Sequence, residues 1–314
     1  MRRKFTITVD VEACNRARVS SNYVEKLIWG DFQDGSVPAG IGRMMDIGDR
    51  TGVTFTMFLD IAEASLYGEK IVEVGKYVLE RGHDLQLHLH PEVIPEEVWQ
   101  GWGLCKPELK SKGYRLDSYT YEEARVVMYY FCELYQRSFG KLPVAFRGGA
   151  FRTNRNFLRL QEEIGIPLSS NHSFSNYLNQ RKEPLQSLNK TLFKWTKDIV
   201  EVAVTQVEQP DGVKVMAIPS SIEKSESWRS VLESEANNSI FSGPVVFLLH
   251  SWSLLNYSPG KGRFFDGVSE YRAGKLEKIC QIASEVFDCT DFTSLNADIN
   301  AGFFGDLEIH QLKY

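Results

Sequence analysis

Apolar residues fall into short runs rich in Val, Ile, Phe and Thr, separated by longer stretches whose apolar positions recur at helical spacing. The runs read as strands: "KFTITVD" from Lys4, "VTFTMFL" from Val53, "DLQLHL" from Asp84, "VAFR" from Val144, "VVFLLH" from Val245 and "VFDCTDF" from Val286. Between them the periodicity predicts helices over 41–50, 68–81, 120–138, 154–164 and 270–287, with glycines at 52, 82 and 140 as natural stops. This alternation predicts an α/β fold of β-α units around a parallel sheet or barrel.

Two segments interrupt the alternation. Residues 93–119 are broken by Pro and Gly and carry Trp99 and Trp102, which predicts a rim loop over the mouth of a barrel. Residues 199–219 read as a hairpin turning at Pro210-Asp211-Gly212. With no internal repeat, low-complexity tract or linker, the chain is expected to form one domain over 1–314.

Four of the strands finish on residues with chemistry to offer: Asp10 and Glu12, His88 and His90, Arg147, and His250. Parallel strands gather their carboxyl ends on one face, where α/β barrels place their active sites. Asp10 and Glu12 are two apart and leave one face of their strand, as do His88 and His90. Paired buried carboxylates need a cation or a shared proton, unless the strand has ended and both are solvated. Paired neutral imidazoles suit zinc or a similar divalent ion, and Glu92 adds a further oxygen. A lone strand-end histidine is more often a hydrogen-bonded structural group, but carboxylates facing the pair change that balance. Arg147 is placed to clamp Asp10. His250 reads as an acid or as a satisfied core histidine, and both readings stay open.

Composition narrows the partners. The net charge of −5 comes from interspersed acids and bases without a basic tract, so nucleic acid is not an expected partner. The five cysteines include no C-x-x-C pair and read as reduced thiols. The first residues are too short in apolar run for a signal peptide, and no stretch is long enough for a membrane helix. The expectation is a cytoplasmic protein, with work at the face of the inner membrane left open.

In their order these motifs resemble the polysaccharide deacetylases, the NodB-homology carbohydrate esterases of family four. "TVDVE" stands where that family has T-F-D-D, "GVTFTMFLD" where it has G-[VI]-x-A-T-F-F, and "GHDLQLHLHPE" for G-H-E-[IV]-x-x-H-[ST]-x-x-H-P. "FRGGAFR" stands for F-R-x-P-x-[GY] and "FLLH" for the closing L-x-H. The resemblance implies a distorted (β/α)7 barrel and a hydrolase that deacetylates an N- or O-acetylated sugar with a divalent metal ion, zinc being the expected one. It implies Asp10 as general base, Arg147 as its orienting partner and His250 as general acid. Glu12, His88 and His90 become metal ligands, with Glu92 as the substitute third ligand, since counting from His88 favours Glu92 and the His-Pro pair favours His90. Trp99, Trp102, Phe151 and Trp252 are expected as stacking surfaces for sugar rings.

Glu12 in place of an aspartate, the compressed histidine motif and Leu168 where many relatives carry an acid resemble the divergent branch associated with lipopolysaccharide and O-antigen biosynthesis. That branch implies a glycan precursor as substrate. The rivals are a metal-independent amidase on the same fold, a glycosidase using Asp10 and Glu12, and a non-catalytic sugar-binding protein.

Overall fold

The computed structural model describes residues 2–13, 22–107, 118–172, 191–209, 212–218, 228–238, 243–258 and 264–310. The strands are β1 (Lys4–Val11), β2 (Phe55–Asp60), β3 (Asp84–Leu89), β4 (Ala145–Gly148), β5 (Leu168–Ser169), β6 (Leu192–Lys194), β7 (Val200–Val202), β8 (Gln206–Gln209), β9 (Gly212–Val215), β10 (Val245–His250), β11 (Leu255–Ser258), β12 (Phe264–Val268) and β13 (Asp288–Cys289). Seven of them, in the order β10-β1-β2-β3-β4-β5-β7, run parallel as one curled sheet. β6 adds an antiparallel edge on β7, and β13 a short parallel pair with the start of β1. The free side of β10 is covered by irregular backbone bonds: the Thr205 amide donates to the Val246 carbonyl, the Leu248 amide to the Met216 carbonyl and the Ile218 amide to the Leu248 carbonyl. The curl therefore has the seven strands of a (β/α)7 barrel with an irregular seam.

The alternation inside the strands explains the layering. On β1, Phe5, Ile7, Val9 and Val11 join the larger apolar cluster, beneath the helices. Thr6, Thr8 and Asp10 take the other face, and the register puts Asp10 level with Phe58 and His250. β3 repeats the pattern: Leu85, Leu87 and Leu89 pack outward, while Asp84, Gln86 and His88 share the inner face. A smaller cluster of Phe58, Ala145, Leu168, Val246 and Leu248 fills the interior of the curl, closed by Phe292 and Leu295. Both faces of each strand are thus covered, as parallel sheets require.

The covering helices are α1 (Ile41–Thr51), α2 (Ala64–Tyr67), α3 (Glu69–Glu80), α4 (Glu96–Gly101), α5 (Tyr121–Phe139), α6 (Arg155–Ile164), α7 (Trp228–Ala236), α8 (Glu270–Val286) and α9 (Phe292–Asn300). Five agree within a residue or so with those expected from periodicity. α5 begins at a capping box in which Thr120 and Glu123 satisfy each other's backbone amides.

Three expectations are corrected. "VFDCTDF" contributes only Asp288–Cys289 as strand, because Asp291 caps the amide of Ser294 and starts α9. The segment 93–119 is not all loop: Pro95 precedes α4, and Trp99 on that helix is fully buried. The hairpin is narrower than 199–219, formed by β8 and β9, while β7 belongs to the main sheet. Its turn at Pro210-Asp211 lies outside the described residues. No described helix is long and apolar enough to cross a membrane.

Candidate metal centre and active site

The carboxyl ends of β1, β3, β4 and β10 bring together Asp10, Glu12, His88, His90, Arg147 and His250. Arg147 is fully buried on β4, and its Nη1 donates to Asp10 Oδ1 at 2.6 Å. The guanidinium is held from several sides. It donates to Thr8 Oγ1 at 3.1 Å and to Ser170 Oγ at 2.8 Å, and it lies 4.0 Å from the centre of the Phe58 ring. Burial works to raise the Asp10 carboxyl, but Arg147, with His88 and His250, pulls it below the usual aspartate range. Asp10 is a directed anion, not a solvated loop acid.

Glu12 lies one residue past the end of β1 and is buried. Its carboxylate faces three imidazoles: His90 Nε2 at 3.0 Å and His88 Nε2 at 3.9 Å from Oε2, and His250 Nε2 at 3.8 Å from Oε1. Burial raises the Glu12 carboxyl, and His88 and His90 outweigh it, leaving it well below the usual glutamate range. His88 Nδ1 lies 2.8 Å from the carbonyl oxygen of Arg147. A carbonyl only accepts, so Nδ1 carries the hydrogen and Nε2 is the ring nitrogen that faces Glu12. His90 Nδ1 lies 2.6 Å from Glu92 Oε1. Held between Glu92 and Glu12, His90 is raised well above the ordinary histidine range despite its burial.

One ligand atom from each of Glu12, His88 and His90 lies within 4.8 Å of the others. Two imidazole nitrogens and a carboxylate oxygen are the donor set of a catalytic zinc with an open position. The charge balance agrees. Asp10, Glu12, Asp60 and Glu63 are buried acids around this mouth, while Arg147 is the one buried lysine or arginine among the described residues. A divalent ion fits the residues present. Glu92 does not sit beside Glu12 but on the far nitrogen of His90, the place of a carboxylate that orients a ligand imidazole.

The loop after β4 fits the same purpose. A Cβ on Gly149 would lie 2.4 Å from the His90 ring, so only glycine lets that imidazole occupy its place. Ala150 and Phe151 follow with φ of 54° and 57°, a left-handed pair that costs backbone strain at the mouth. Asn171 Oδ1 accepts from the Gly148 amide at 2.6 Å, and Glu201 in turn accepts from the amides of Asn171 and His172, each at 2.7 Å.

Of the expected stacking residues, Trp252 lies at the mouth with its indole 4.3 Å from the His250 ring and nearly parallel to it. Phe151 lies there too, its ring 5.7 Å from the Arg147 guanidinium. Trp99 and Trp102 do not. α4 turns Trp99 into the core, edge-on to Trp102 and Tyr119, and Trp102 meets Tyr130 and Phe131 of α5. Fully buried, Trp99 has no face to offer a sugar.

Asp60, Glu63, Thr8, Ser170 and Asn171 belong to the site but did not stand out in the sequence. Asp60 follows an apolar strand and precedes a helical turn, a position that a simple N-cap also explains. Its burial raises the carboxyl to about 6 against the pull of His90 and His88.

A solved structure shares this architecture. A Mycobacterium smegmatis protein assigned to the polysaccharide deacetylases matches 99% of this chain and 94% of its own, at a TM-score of 0.55 and 15% identity. The fold is that of the polysaccharide deacetylases. A CE4 family pseudoenzyme from Bacillus anthracis matches at a TM-score of 0.44 and 8% identity, over 94% of this chain and 65% of that one. A family 4 carbohydrate esterase from Streptomyces lividans, in complex with acetate, matches at 0.42 and 10%, over 90% and 88%. No family model matches the sequence, and no curated protein matches it. Within the polysaccharide deacetylase fold, the cluster at the strand ends occupies the mouth of the curl.

Proposed function

We propose that the chain, as one catalytic domain, hydrolyses an acetyl amide or ester on a sugar with the help of a divalent ion, zinc, held by Glu12, His88 and His90. One observation carries the reading: an arginine-clamped carboxylate, a Glu-His-His cluster and a third histidine meet at one mouth. When bound, the ion supplies a Lewis acid for the acyl oxygen and lowers the pKa of a water.

The chain's own residues do the rest. Arg147 occupies Asp10 Oδ1 and holds the carboxylate anionic, leaving Oδ2 to take the proton of the attacking water. His250, partly open to solvent on the other side of Glu12, gives a proton from Nε2 to the leaving amine or alkoxide. Trp252 stacked on His250 holds that ring in plane, and Phe151 lies beside the same opening as an apolar wall for the acyl group or sugar. Glu92 orients His90 from behind.

The substrate class follows from the departures noted in the motifs. Glu12 for aspartate and the shortened histidine spacing support a cytoplasmic enzyme acting on a glycan precursor of the lipopolysaccharide or O-antigen kind. A metal-independent amidase on the same barrel is the second reading, favoured by the 3.0 Å contact in which protonated His90 already satisfies Glu12. Metal content of protein purified without chelator, with release of acetate from acetylated amino sugars before and after chelation, separates the two. One equivalent of metal and chelator-sensitive turnover support the first reading; turnover without metal supports the second.

A further inference from the structure

We propose that the turn Asp60–Glu63, directly after β2, positions the metal centre by holding the backbone of the two ligands that lie beyond their strands. The role rests on the reading of Glu12, His88 and His90 as ligands, and extends it to residues outside the donor set. His88 needs no such help: it is inside β3 and in register with Asp60 on one side and Arg147 on the other. Glu12 and His90 each stand one residue past the end of a strand, where the sheet no longer fixes the chain.

At both places the turn supplies a tie. The amide of His90 donates to Asp60 Oδ1 at 3.1 Å. The amide of Ala13, next after Glu12, donates to both oxygens of Glu63 at 2.7 and 2.9 Å. Ser251 Oγ accepts from the Glu12 amide at 3.3 Å, a longer bond from the opposite side. The turn is itself stiff. Asp60 Oδ1 also accepts from the Ala62 amide at 3.2 Å, and Ile61, Ala62 and Glu63 are fully buried.

The choice of acids points the same way. An amide side chain could accept these backbone hydrogens without the cost of burying a charge. Two carboxylates are used instead, and Asp60 Oδ2 has no hydrogen-bond partner among the described residues. Negative charge buried beside a Glu-His-His cluster costs least when a cation occupies the cluster.

Titration of the metal-free full-length protein with Co2+, read by visible absorption, tests this without any turnover assay. Wild type is expected to bind one equivalent. Asp60→Ala and Glu63→Ala are expected to weaken Co2+ by about 10–100-fold, as for other groups behind metal ligands, and to change the ligand-field bands. Asp60→Asn and Glu63→Gln keep an oxygen acceptor but lose the charge, so they should fall between alanine and wild type and remain informative if the alanine variants do not fold. Asp84→Asn, a buried acid at the other end of β3, is the control and should leave both affinity and spectrum unchanged. Wild-type affinity and bands in folded variants of Asp60 and Glu63, or an equal loss in Asp84→Asn, would overturn the positioning role. A wild-type protein that takes up no Co2+ would instead remove the metal centre, and the positioning role with it.

Discussion

Asp84 and His88 stand on the same face of one strand, at opposite ends of it, and their surroundings differ in kind. At the floor, Asp84 accepts from Thr293 Oγ1 at 2.6 Å, Gln86 Nε2 at 2.8 Å, Thr56 Oγ1 at 3.1 Å and the Phe292 amide at 3.2 Å. Gln86 turns its own oxygen to the amides of Val144 and Ala145 at 2.9 Å each. Neutral donors surround the carboxylate, and the cluster fixes α9 as a plug against Phe58. At the mouth, acids outnumber buried cations, Asp60 Oδ2 is unpartnered among the described residues, and Glu12 faces three imidazoles. Buried polar groups thus serve stability where every lone pair is answered within the chain, and chemistry where some are not.

The most severe way to test that contrast is Asp10→Asn. Proton transfer typically contributes about 10²–10⁴-fold, so turnover should fall by that factor while metal content and melting temperature stay near wild type. Near-normal acetate release by the metal-loaded variant would refute Asp10 as the base.

The floor should respond in the opposite currency. Asp84→Ala leaves several buried donors unsatisfied, each at a cost of roughly 1–3 kcal/mol, and should lower the thermal midpoint by several degrees while Co2+ affinity is unchanged. A loss of metal binding in this variant would show that the two ends are not separate.

Gly149→Ala probes the mouth alone, since its Cβ would lie 2.4 Å from the His90 ring and force that imidazole to move. Metal affinity measured by competition with a chromophoric chelator should drop by about 10-fold or more, the scale of displaced support around a ligand. Unchanged affinity would place the metal away from His90.

The smallest effect concerns pH at the floor. His83 Nδ1 accepts from the Phe55 amide at 3.0 Å, and burial, against the pull of Asp49, lowers its pKa below 6.5 in the folded chain. The unfolded chain then takes up a proton near pH 6.5 that the folded chain refuses, so the contribution is complete above that pH and is lost as pH falls. The slope reaches at most about 1.4 kcal/mol per pH unit. Chemical denaturation between pH 7.5 and 5.5 should show this loss in wild type and less of it in His83→Gln.

Much of the fold was legible because strand and helix periods differ. The alternation of Phe5, Ile7 and Val9 with Thr6, Thr8 and Asp10 marks a strand between two layers, and the glycines at 52 and 140 end helices in the left-handed conformation. "VFDCTDF" misled because an apolar run fits a strand or the inner face of a capped helix equally well until Asp291 is seen to accept from the Ser294 amide. Trp99 misled for a related reason. Pro and Gly around it signal a loop, but one short helix suffices to turn its ring inward against Tyr119.

What the sequence determined by itself was which residues could meet, because parallel strands of alternating pattern deliver Asp10, His88, Arg147 and His250 to the same end of one sheet. Periodicity carries that information, since each side chain's face follows from its place in the strand. Only the tertiary structure decided how the residues just past the strand ends are used. Glu92 lies behind His90 rather than beside Glu12, and Asp60 and Glu63 hold the backbone at His90 and just after Glu12. Beyond a strand's last ladder bond no period constrains the chain, so direction there comes from single hydrogen bonds between segments 30, 50 and 239 residues apart. A linear pattern cannot specify those bonds; the packed turn after β2 can.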